Sequence, residues 1–325
     1  MKNVSTILFF IIFIIVTAGI FYCIFKETKG RSRTRTKQAY LFMLPVIISL
    51  VLVFGYPLIN SFIMAFQNYK LTDPNNITFN GLDNFVKLLS EKDTKLVFTN
   101  TVVYLLTSII GQFILGLGLA LTLRKKFRGR GLYQGIVFLP WAFSGCVIGL
   151  MFRWSFNGEY GVVNDLLLKI GAINEKIAWL GTPGWSLAVV IIATIWIGFP
   201  FFAMLLLAAL QSIPNDVYEA SAIDGCGLVR QFWSITLPYL KPTIVTTVSL
   251  RAIWSLNSFD LIMIITGGGP ANTSNTITSY MYSRAFAKYD FGFASALGVA
   301  FMLIISLLAI SGLAISKRKK GGENL

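Results

Sequence analysis

The chain has 325 residues and a formal net charge of +14, with 55% hydrophobic and 13% charged residues. Average soluble proteins carry about 25% charged residues, so this composition excludes an ordinary soluble enzyme and indicates a polytopic membrane protein. The absence of histidine removes histidine-based acid–base catalysis, Ser–His–Asp triads and most zinc sites. The cysteines form no C-x-x-C pair, so neither a metal site nor a disulfide framework is indicated.

Apolar runs long enough to cross a bilayer predict an all-α fold with seven membrane-spanning helices. They lie at residues 7–25, 40–66, 99–123, 132–152, 184–210, 243–266 and 292–316. The sixth run is interrupted by Arg251 and Asp260. The first run could be a cleaved signal peptide instead, but a single lysine precedes it and no small-x-small cleavage site follows. An anchoring helix ahead of a six-helix core is the better interpretation.

Basic residues between the spans predict the orientation in the membrane. Segments 26–37 (KETKGRSRTRTK) and 124–130 (RKKFRGR) and the tail 317–320 (KRKK) are rich in Lys and Arg. The positive-inside rule places these segments in the cytoplasm, and alternation adds segment 211–241. The chain is therefore expected to be a multi-pass protein of the cell membrane with its N-terminus outside and its C-terminus in the cytoplasm.

The segment after the fifth span, 212–238, is too polar to cross a membrane and too long for a bare turn. Ser212 and Pro214 predict a helix start. Gly225 ends that helix after about three turns, and a second short helix is expected to stop near Pro238. The result is an elbow of two short helices on the cytoplasmic side.

The composition of this elbow suits a protein contact. Small residues permit another backbone to approach closely, and two acids offer anionic contacts. The small residues are Ala220, Ser221 and Ala222, and the acids are Glu219 and Asp224. An amphipathic elbow that rests at the membrane interface is the alternative interpretation.

Four residues of the sixth span follow helical spacing and are predicted to share one face: Arg251, Trp254, Ser255 and Ser258. A charge inside a span normally faces a partner or a watery cavity. Indole, hydroxyl and guanidinium groups on one face suit a sugar. The alternative is that Arg251 pairs with an acid or snorkels, although Asp260 lies about 13 Å further along a helix and is a poor partner.

The sixth span is followed by ITGGGPANTSNT at residues 265–276, where three glycines and a proline exclude regular structure. Glycine-rich loops can bind phosphate, but the Lys-Ser/Thr of a nucleotide P-loop is missing. A shaped external loop is therefore predicted.

These residues resemble the membrane-spanning subunits of binding-protein-dependent ABC importers, in the carbohydrate branch that includes the larger maltose permease. Three patterns of the family are matched, and the resemblance covers residues 38–318. The E-A-A-x3-G-x9-I-x-L-P pattern is matched by Glu219, Ala220, Ser221, Gly225, Ile235, Leu237 and Pro238, with Ser221 as its one departure. The F-D-x-I-x3-T-G-G-G-P pattern is matched from Phe259 to Pro270. Pro57, Ser61 and the segment Gly81 to Phe85 match the patterns near the first core span.

The resemblance implies a type I ABC importer core at residues 38–320, preceded by an N-terminal anchor and basic linker at residues 1–37. It implies a second homologous permease, two ATPase subunits and an external solute-binding protein as partners. The elbow would dock into a cleft of an ATPase, where Glu219 and Asp224 make polar contacts and Gly225 permits the bend. The chain itself has no nucleotide motif, so it is not expected to be an enzyme. No cofactor is expected on it, because ATP and Mg belong to the ATPase, and neither metal nor nucleic acid is expected.

The resemblance also places a sugar pathway on the spans that flank the elbow. The corresponding residues are Gly198 and Phe201 on the fifth span and Arg251, Trp254, Ser255 and Ser258 on the sixth. A small polar residue is usual at the position of Arg251. This departure leads to the hypothesis of a ligand with a carboxylate or phosphate, or of several hydroxyls bound by the guanidinium.

Three alternatives remain at this stage. The chain could be an importer permease for a non-sugar solute such as a peptide, or an ATP-independent channel or secondary carrier with Arg251 and Asp260 as gating charges. A membrane-embedded enzyme is the third, although the acids form no catalytic pair.

Overall fold

The computed structural model describes residues 33–125 and 127–322, with side chains described for 42–125 and 127–306. The predicted first span at 7–25 lies outside the described residues, as do the side chains of the tail 317–320. The proposed domain boundary after residue 37 remains a prediction.

Helices make up most of the described chain, as the all-α prediction requires. The α-helices are α1 (Arg33–Leu50), α2 (Tyr56–Ala65), α3 (Asp83–Ser90), α4 (Lys92–Arg124), α5 (Arg130–Ala142), α6 (Gly145–Ser155), α7 (Val162–Lys169), α8 (Trp185–Gln211), α9 (Asn215–Ile223), α10 (Leu228–Gln231), α11 (Leu237–Asn257), α12 (Asp260–Ile265), α13 (Ile277–Tyr282) and α14 (Phe291–Gly322). Short π-helical turns lie at Val51–Gly55, Phe232–Thr236 and Ser283–Ala287, and a 3-10 turn lies at Pro74–Asn76. Strands β1 (Gln67–Asn68) and β2 (Thr78–Phe79) pair antiparallel, with Gln67 opposite Phe79.

Three predicted spans are single helical segments that are long and apolar enough to cross a membrane: Phe42–Ala65, Lys92–Arg124 and Trp185–Gln211. The fourth predicted span is instead bent by 92° between α5 and α6. Phe143 and Ser144 are extended there, and the Ser144 hydroxyl accepts the N–H of Cys146 at 3.2 Å. A serine that caps the next helix explains the break, because it satisfies a free N–H of the first turn.

The prediction of one continuous sixth span over 243–266 is wrong. Helix α11 ends at Asn257, Ser258 is extended with φ −80° and ψ 106°, and α12 begins at Asp260. Asparagine and serine compete with helical hydrogen bonds, and aspartate stabilises the first turn of a new helix. The break therefore follows from polar residues that favour helix ends.

The predicted helix end near Pro238 is also wrong. The chain stays helical from Leu228 to Asn257, through the π-helical turn at Phe232–Thr236. Pro238 lies in the first turn of α11. Proline lacks an N–H, and the wider π turn just before it accommodates the missing hydrogen bond.

The described chain divides into two compact units, one of residues up to Ser90 with those from Met281 onward, and one of Glu91–Tyr280. In the first unit, α14 packs against α2 and α3. The buried Asn84 of α3 donates to the carbonyls of Ala65 and Gln67 at 3.0 and 2.9 Å. This side chain ties α3 to the end of α2 and explains the asparagine of the G-L-x-N-F pattern.

The second unit is built around the pair α4 and α8, which pack along their length. Glycines bring the two helices close together. A Cβ at Gly111 would lie 2.5 Å from the Ile195 Cδ1 atom, and one at Gly116 would overlap the Phe202 Cβ atom. Small residues permit this approach in membrane helices, where van der Waals packing drives association.

The loop at 265–276 is shaped by buried amides. The Nδ2 atom of Asn100 on α4 lies 3.0 Å from the Thr273 carbonyl and 3.2 Å from the Asn275 carbonyl. Asn275 fills the space beside Gly268, which has a φ of +83°. The loop is thus an ordered structure held on α4, as expected for a shaped rather than a phosphate-binding loop.

A second buried amide, Asn164 of α7, joins the segment after α6 to the segment before α8. Its Nδ2 donates to the carbonyls of Gly158 and Ile177, both at 3.0 Å. Its Oδ1 accepts the Ile177 N–H at 3.2 Å and the Trp179 indole N–H at 2.8 Å. All four hydrogen bonds depend on one fully buried side chain.

We expect Asn164→Ala to lower the free energy of unfolding by about 2–4 kcal/mol, because buried donors and acceptors lose their partner. The exposed neighbour Asp165 provides the matched control, and Asp165→Ala should change stability by about 0.5 kcal/mol or less. Thermal melting of the detergent-purified subunit measures both. Equal melting temperatures for the two variants would contradict the prediction.

Candidate functional site

A charged side chain lies among the helices of the second unit. The Nε atom of Arg251 on α11 donates to the Oε1 atom of Gln112 on α4 at 2.6 Å. Within the described residues no carboxylate forms an ion pair with Arg251. The structure therefore does not support the alternative in which Arg251 pairs with an acid, and Asp260 lies beyond the helix break.

Helix α8 passes this pair at Gly198. A Cβ at this position would overlap the Gln112 amide and lie 2.6 Å from the Nη2 atom of Arg251. The absence of a Cβ at Gly198 therefore leaves room for the ends of these two side chains. Gly198, Gln112 and Arg251 form a contact of three helices, which we call the Arg251 cluster.

Aromatic side chains border the Arg251 cluster. The ring centroids of Phe201 on α8 and Trp254 on α11 are 5.0 Å apart, and Trp141 of α5 lies 6.3 Å from Phe201. Phe201 is buried, whereas Trp254 is 45% exposed. An accessible indole beside a guanidinium can bind the C–H face of a sugar ring.

The structure thus brings together five of the six predicted pathway residues on the facing helices α8 and α11. Ser255 is 3% exposed, and its Oγ atom has no hydrogen-bond partner within the described residues. Ser258 follows the end of α11 in extended conformation, so the prediction that it shares the helical face is wrong. Its backbone N–H donates to the Ser255 carbonyl at 3.3 Å.

Gln112 and Trp141 were missed by sequence reasoning. Gln112 stands in the otherwise apolar middle of the predicted third span, where a polar residue is costly and signals a contact. That signal was available. Trp141 carried no such signal, because tryptophan is common near the ends of membrane helices.

The elbow is a helix that ends in a glycine turn. After α9, the N–H of Cys226 donates to the Ser221 carbonyl at 2.9 Å and the N–H of Gly225 to the Ala222 carbonyl at 3.0 Å. Gly225 has a φ of +78°. This is a Schellman motif, in which glycine adopts the left-handed conformation and satisfies the last carbonyls of the helix. The predicted break at Gly225 therefore has a backbone cause.

Contacts between side chains stabilise the elbow. The Gln231 Nε2 atom of α10 donates to the Ser221 hydroxyl at 2.9 Å. The Tyr218 hydroxyl lies 2.9 Å from the Thr236 hydroxyl, and the Arg124 guanidinium stacks over the Tyr218 ring at 4.1 Å. Ser221, the one departure from the family pattern, is therefore a hydrogen-bonding residue and not only a small one.

The surface of the elbow is apolar at its tip and acidic beside it. Ile223, Leu228 and Val229 are 87%, 84% and 74% exposed, and Glu219 and Asp224 are exposed as well. The other predicted coupling residues lie on the helical segment that follows. Ile235 and Leu237 are half-buried there, and Pro238 is exposed. Exposed apolar groups next to acids form a surface that another protein can cover.

The structure combines membrane helices that surround a charged cluster with an exposed elbow between two of these helices. This combination is typical of a membrane transport subunit. The chain belongs to the family described as binding-protein-dependent transport system inner membrane component, whose model matches residues 112–321. The predicted family is therefore confirmed, and the alternative of a channel or carrier that works without ATP is not supported.

Relatives in the same family resemble the chain over most of its length. The sulfoquinovosyl glycerol transport system permease protein of Agrobacterium fabrum is 36% identical over 84% of this chain and 88% of its own length. The trehalose/maltose transport system permease protein of Thermococcus litoralis is 34% identical over 84% of this chain and 92% of its own. A crystal structure of a bacterial ABC transporter that imports the acidic polysaccharide alginate matches with a TM-score of 0.73 at 25% identity, over 89% of this chain and 98% of that chain.

Replacing Gly198 tests the Arg251 cluster. We expect Gly198→Ala to cost about 1 kcal/mol of stability through overpacking and to reduce the uptake rate, because the new methyl group displaces the Gln112 amide or the Arg251 guanidinium. Gly118→Ala on α4 is the control, since open space surrounds that position. Melting temperature and uptake rate are the measurements. Wild-type values for Gly198→Ala would show that the three helices do not meet there.

Proposed function

We propose that the chain is the permease subunit of an ATP-driven ABC importer that carries a sugar or oligosaccharide across the cell membrane. The observation that carries this proposal is the Arg251 cluster beside the aromatic pair Phe201–Trp254, 5.0 Å apart. Ring stacking and hydrogen-bond donors at one place in a membrane bundle suit a hydroxyl-rich solute. The relatives named above are permeases of a sulfoquinovosyl glycerol and of a trehalose/maltose transport system, and they support the same class.

The solute pathway would run between α8 and α11. Trp254 would stack on a sugar ring, Arg251 would bind an anionic group or several hydroxyls, and Ser255 and Ser258 would add hydrogen bonds. Gly198 and Phe201 would form the opposite wall. The alginate importer, whose cargo is an acidic polysaccharide, shows that the fold accommodates anionic saccharides, which supports an anionic ligand for a site that contains Arg251.

The elbow would be the element through which ATP drives transport. An ATPase cleft would cover its apolar tip, and Glu219 and Asp224 would make polar contacts at the rim. Ala220 and Ser221 would permit close packing. Ile235 in the π-helical turn, with Leu237 and Pro238 at the start of α11, would transmit the motion along α11. ATP and Mg would be bound by two ATPase subunits, and a second permease and an external binding protein would complete the importer.

The proposed orientation places the elbow in the cytoplasm and the loop at 265–276 outside. The basic segment 124–130 leads to the same side as the elbow, because α4 and α8 both end there. Arg124, at the end of α4, contacts Tyr218 of the elbow, as this arrangement requires. A basic segment beside the elbow agrees with a cytoplasmic location.

The coupling proposal predicts a specific defect in a variant of Gly225. A valine there would have to adopt a φ near +78°, which costs about 1–2 kcal/mol, so the Schellman turn should open. We expect the Gly225→Val importer to assemble in the membrane but to lose most of the ATPase stimulation by loaded binding protein. Glu219→Lys should do the same through charge reversal.

Gly227→Val is the matched control, since Gly227 has an ordinary φ of −71° and open space around it. It should retain stimulation. Full stimulation in both Gly225→Val and Glu219→Lys would mean that the elbow is not the docking element.

The substrate proposal predicts that Arg251→Ala affects solutes according to charge. Loss of the guanidinium should reduce uptake of an acidic oligosaccharide by about tenfold or more, and uptake of a neutral one far less. Uptake by cells with the complete importer measures both. Equal loss for the two classes, or no loss, would contradict an anionic ligand.

A further inference from the structure

Gln112 has no role in the function proposed above, yet it holds the charged group of the site. Its Oε1 atom accepts from the Arg251 Nε atom at 2.6 Å. In the described part of the chain Arg251 makes no other hydrogen bond or ion pair. A guanidinium has five N–H donors. One is bound by Gln112, and those on Nη1 and Nη2 have no hydrogen-bond partner within the described residues.

A neutral side chain at position 112 fixes the guanidinium without cancelling its charge. A glutamate would form an ion pair with Arg251 and remove most of its attraction for an anion. An apolar residue would leave Nε without a partner inside the bundle, which is costly. Glutamine orients the group and preserves its positive charge.

Two more buried polar atoms, one in the Arg251 cluster and one on the next turn of α11, have no hydrogen-bond partner within the described residues. Gln112 is 0% exposed and its Nε2 atom has no hydrogen bond in the described chain, and the same holds for the Oγ atom of the 3% exposed Ser255. Ser255 lies one turn from Arg251 on α11, on the same face. Buried polar atoms in native proteins nearly always have a partner, so a donor and a hydroxyl here point to a polar ligand.

We propose that Gln112 is a specificity-determining residue, which makes the site select saccharides with a carboxylate, sulfonate or phosphate group. The anion would bind the terminal nitrogens of Arg251, and the Gln112 amide and Ser255 hydroxyl would bind neighbouring oxygens of the ligand. This inference rests on the proposed sugar import and adds a residue and a ligand charge to it. Gln112 acts partly as a positioning residue, because it holds Arg251.

The test measures selectivity, which a merely structural role would not change. Cells that carry the complete importer with its own binding protein take up labelled acidic probes (trigalacturonate and an alginate trisaccharide) and neutral probes (maltotriose and trehalose). We expect the wild type to prefer an acidic probe. In Gln112→Glu the ratio of acidic to neutral uptake should fall by about tenfold or more, because the charge of Arg251 is cancelled.

Two further variants separate selectivity from folding. Gln112→Met has a similar volume and no hydrogen bond, and it should raise the KM for the acidic probe more than the KM for the neutral probe, with both rates normalised to the amount of subunit in the membrane. Ser108→Ala is the control on α4, since Ser108 is also fully buried but its Oγ atom bonds to the Leu105 carbonyl of its own helix. It should keep the wild-type ratio.

An unchanged ratio in Gln112→Glu would overturn the inference, as would a wild type that takes up only neutral probes. In both cases the proposed sugar import would stand. Uptake of no probe by the wild type would remove the proposed function and the inference together. If Ser108→Ala lowered the ratio of acidic to neutral uptake as much as Gln112→Glu does, the inference would also be overturned. A general disturbance of α4 would then explain the lost selectivity.

Discussion

The close packing of α4 against α8 determines where polar groups can lie in the second unit. Glycines at 111, 116 and 198 remove the side chains that would hold the two helices apart. Because Gly198 has no Cβ, the Gln112 amide can reach Arg251 on a third helix. In lipid there is no hydrophobic force between helices, so packing of small residues and such hydrogen bonds together hold the bundle.

The same helices connect the proposed solute site to the elbow. Helix α8 carries Gly198 and Phe201 and leads into the elbow, and α11, which carries Arg251, continues from it without a break in helical conformation. Tyr218 and Gln231 brace the turn between them through hydrogen bonds. A displacement of the elbow would therefore move both walls of the site, since a helix transmits motion along its axis better than a loop does.

Apolarity, charge and spacing were enough to predict the all-α fold, three of the spans and the glycine break of the elbow. The pairing of the fifth with the sixth span was predicted from the family resemblance. The helix breaks inside the fourth and sixth predicted spans were not predicted. Ser144 and Ser258 are polar residues within long apolar runs, and hydropathy averages over them. Gln112 was missed for a different reason. Its polarity inside an apolar span signalled a contact, but the partner, Arg251, is 139 residues away in the chain, and no local pattern identifies a partner at that distance.

The break at Ser258 has a consequence for the site. A continuous helix through residue 266 would carry Asp260 on the same rigid element as Arg251. Instead α12 is a separate helix whose Leu261, Ile262 and Ile265 pack into the apolar cluster with Phe152 and Trp179. The acid is thus held on another element, in the first turn of α12, where a carboxylate is stabilised by the free N–H groups. Asp260 therefore belongs to a helix that packs into this apolar cluster, and Arg251 belongs to the helix that contacts Gln112.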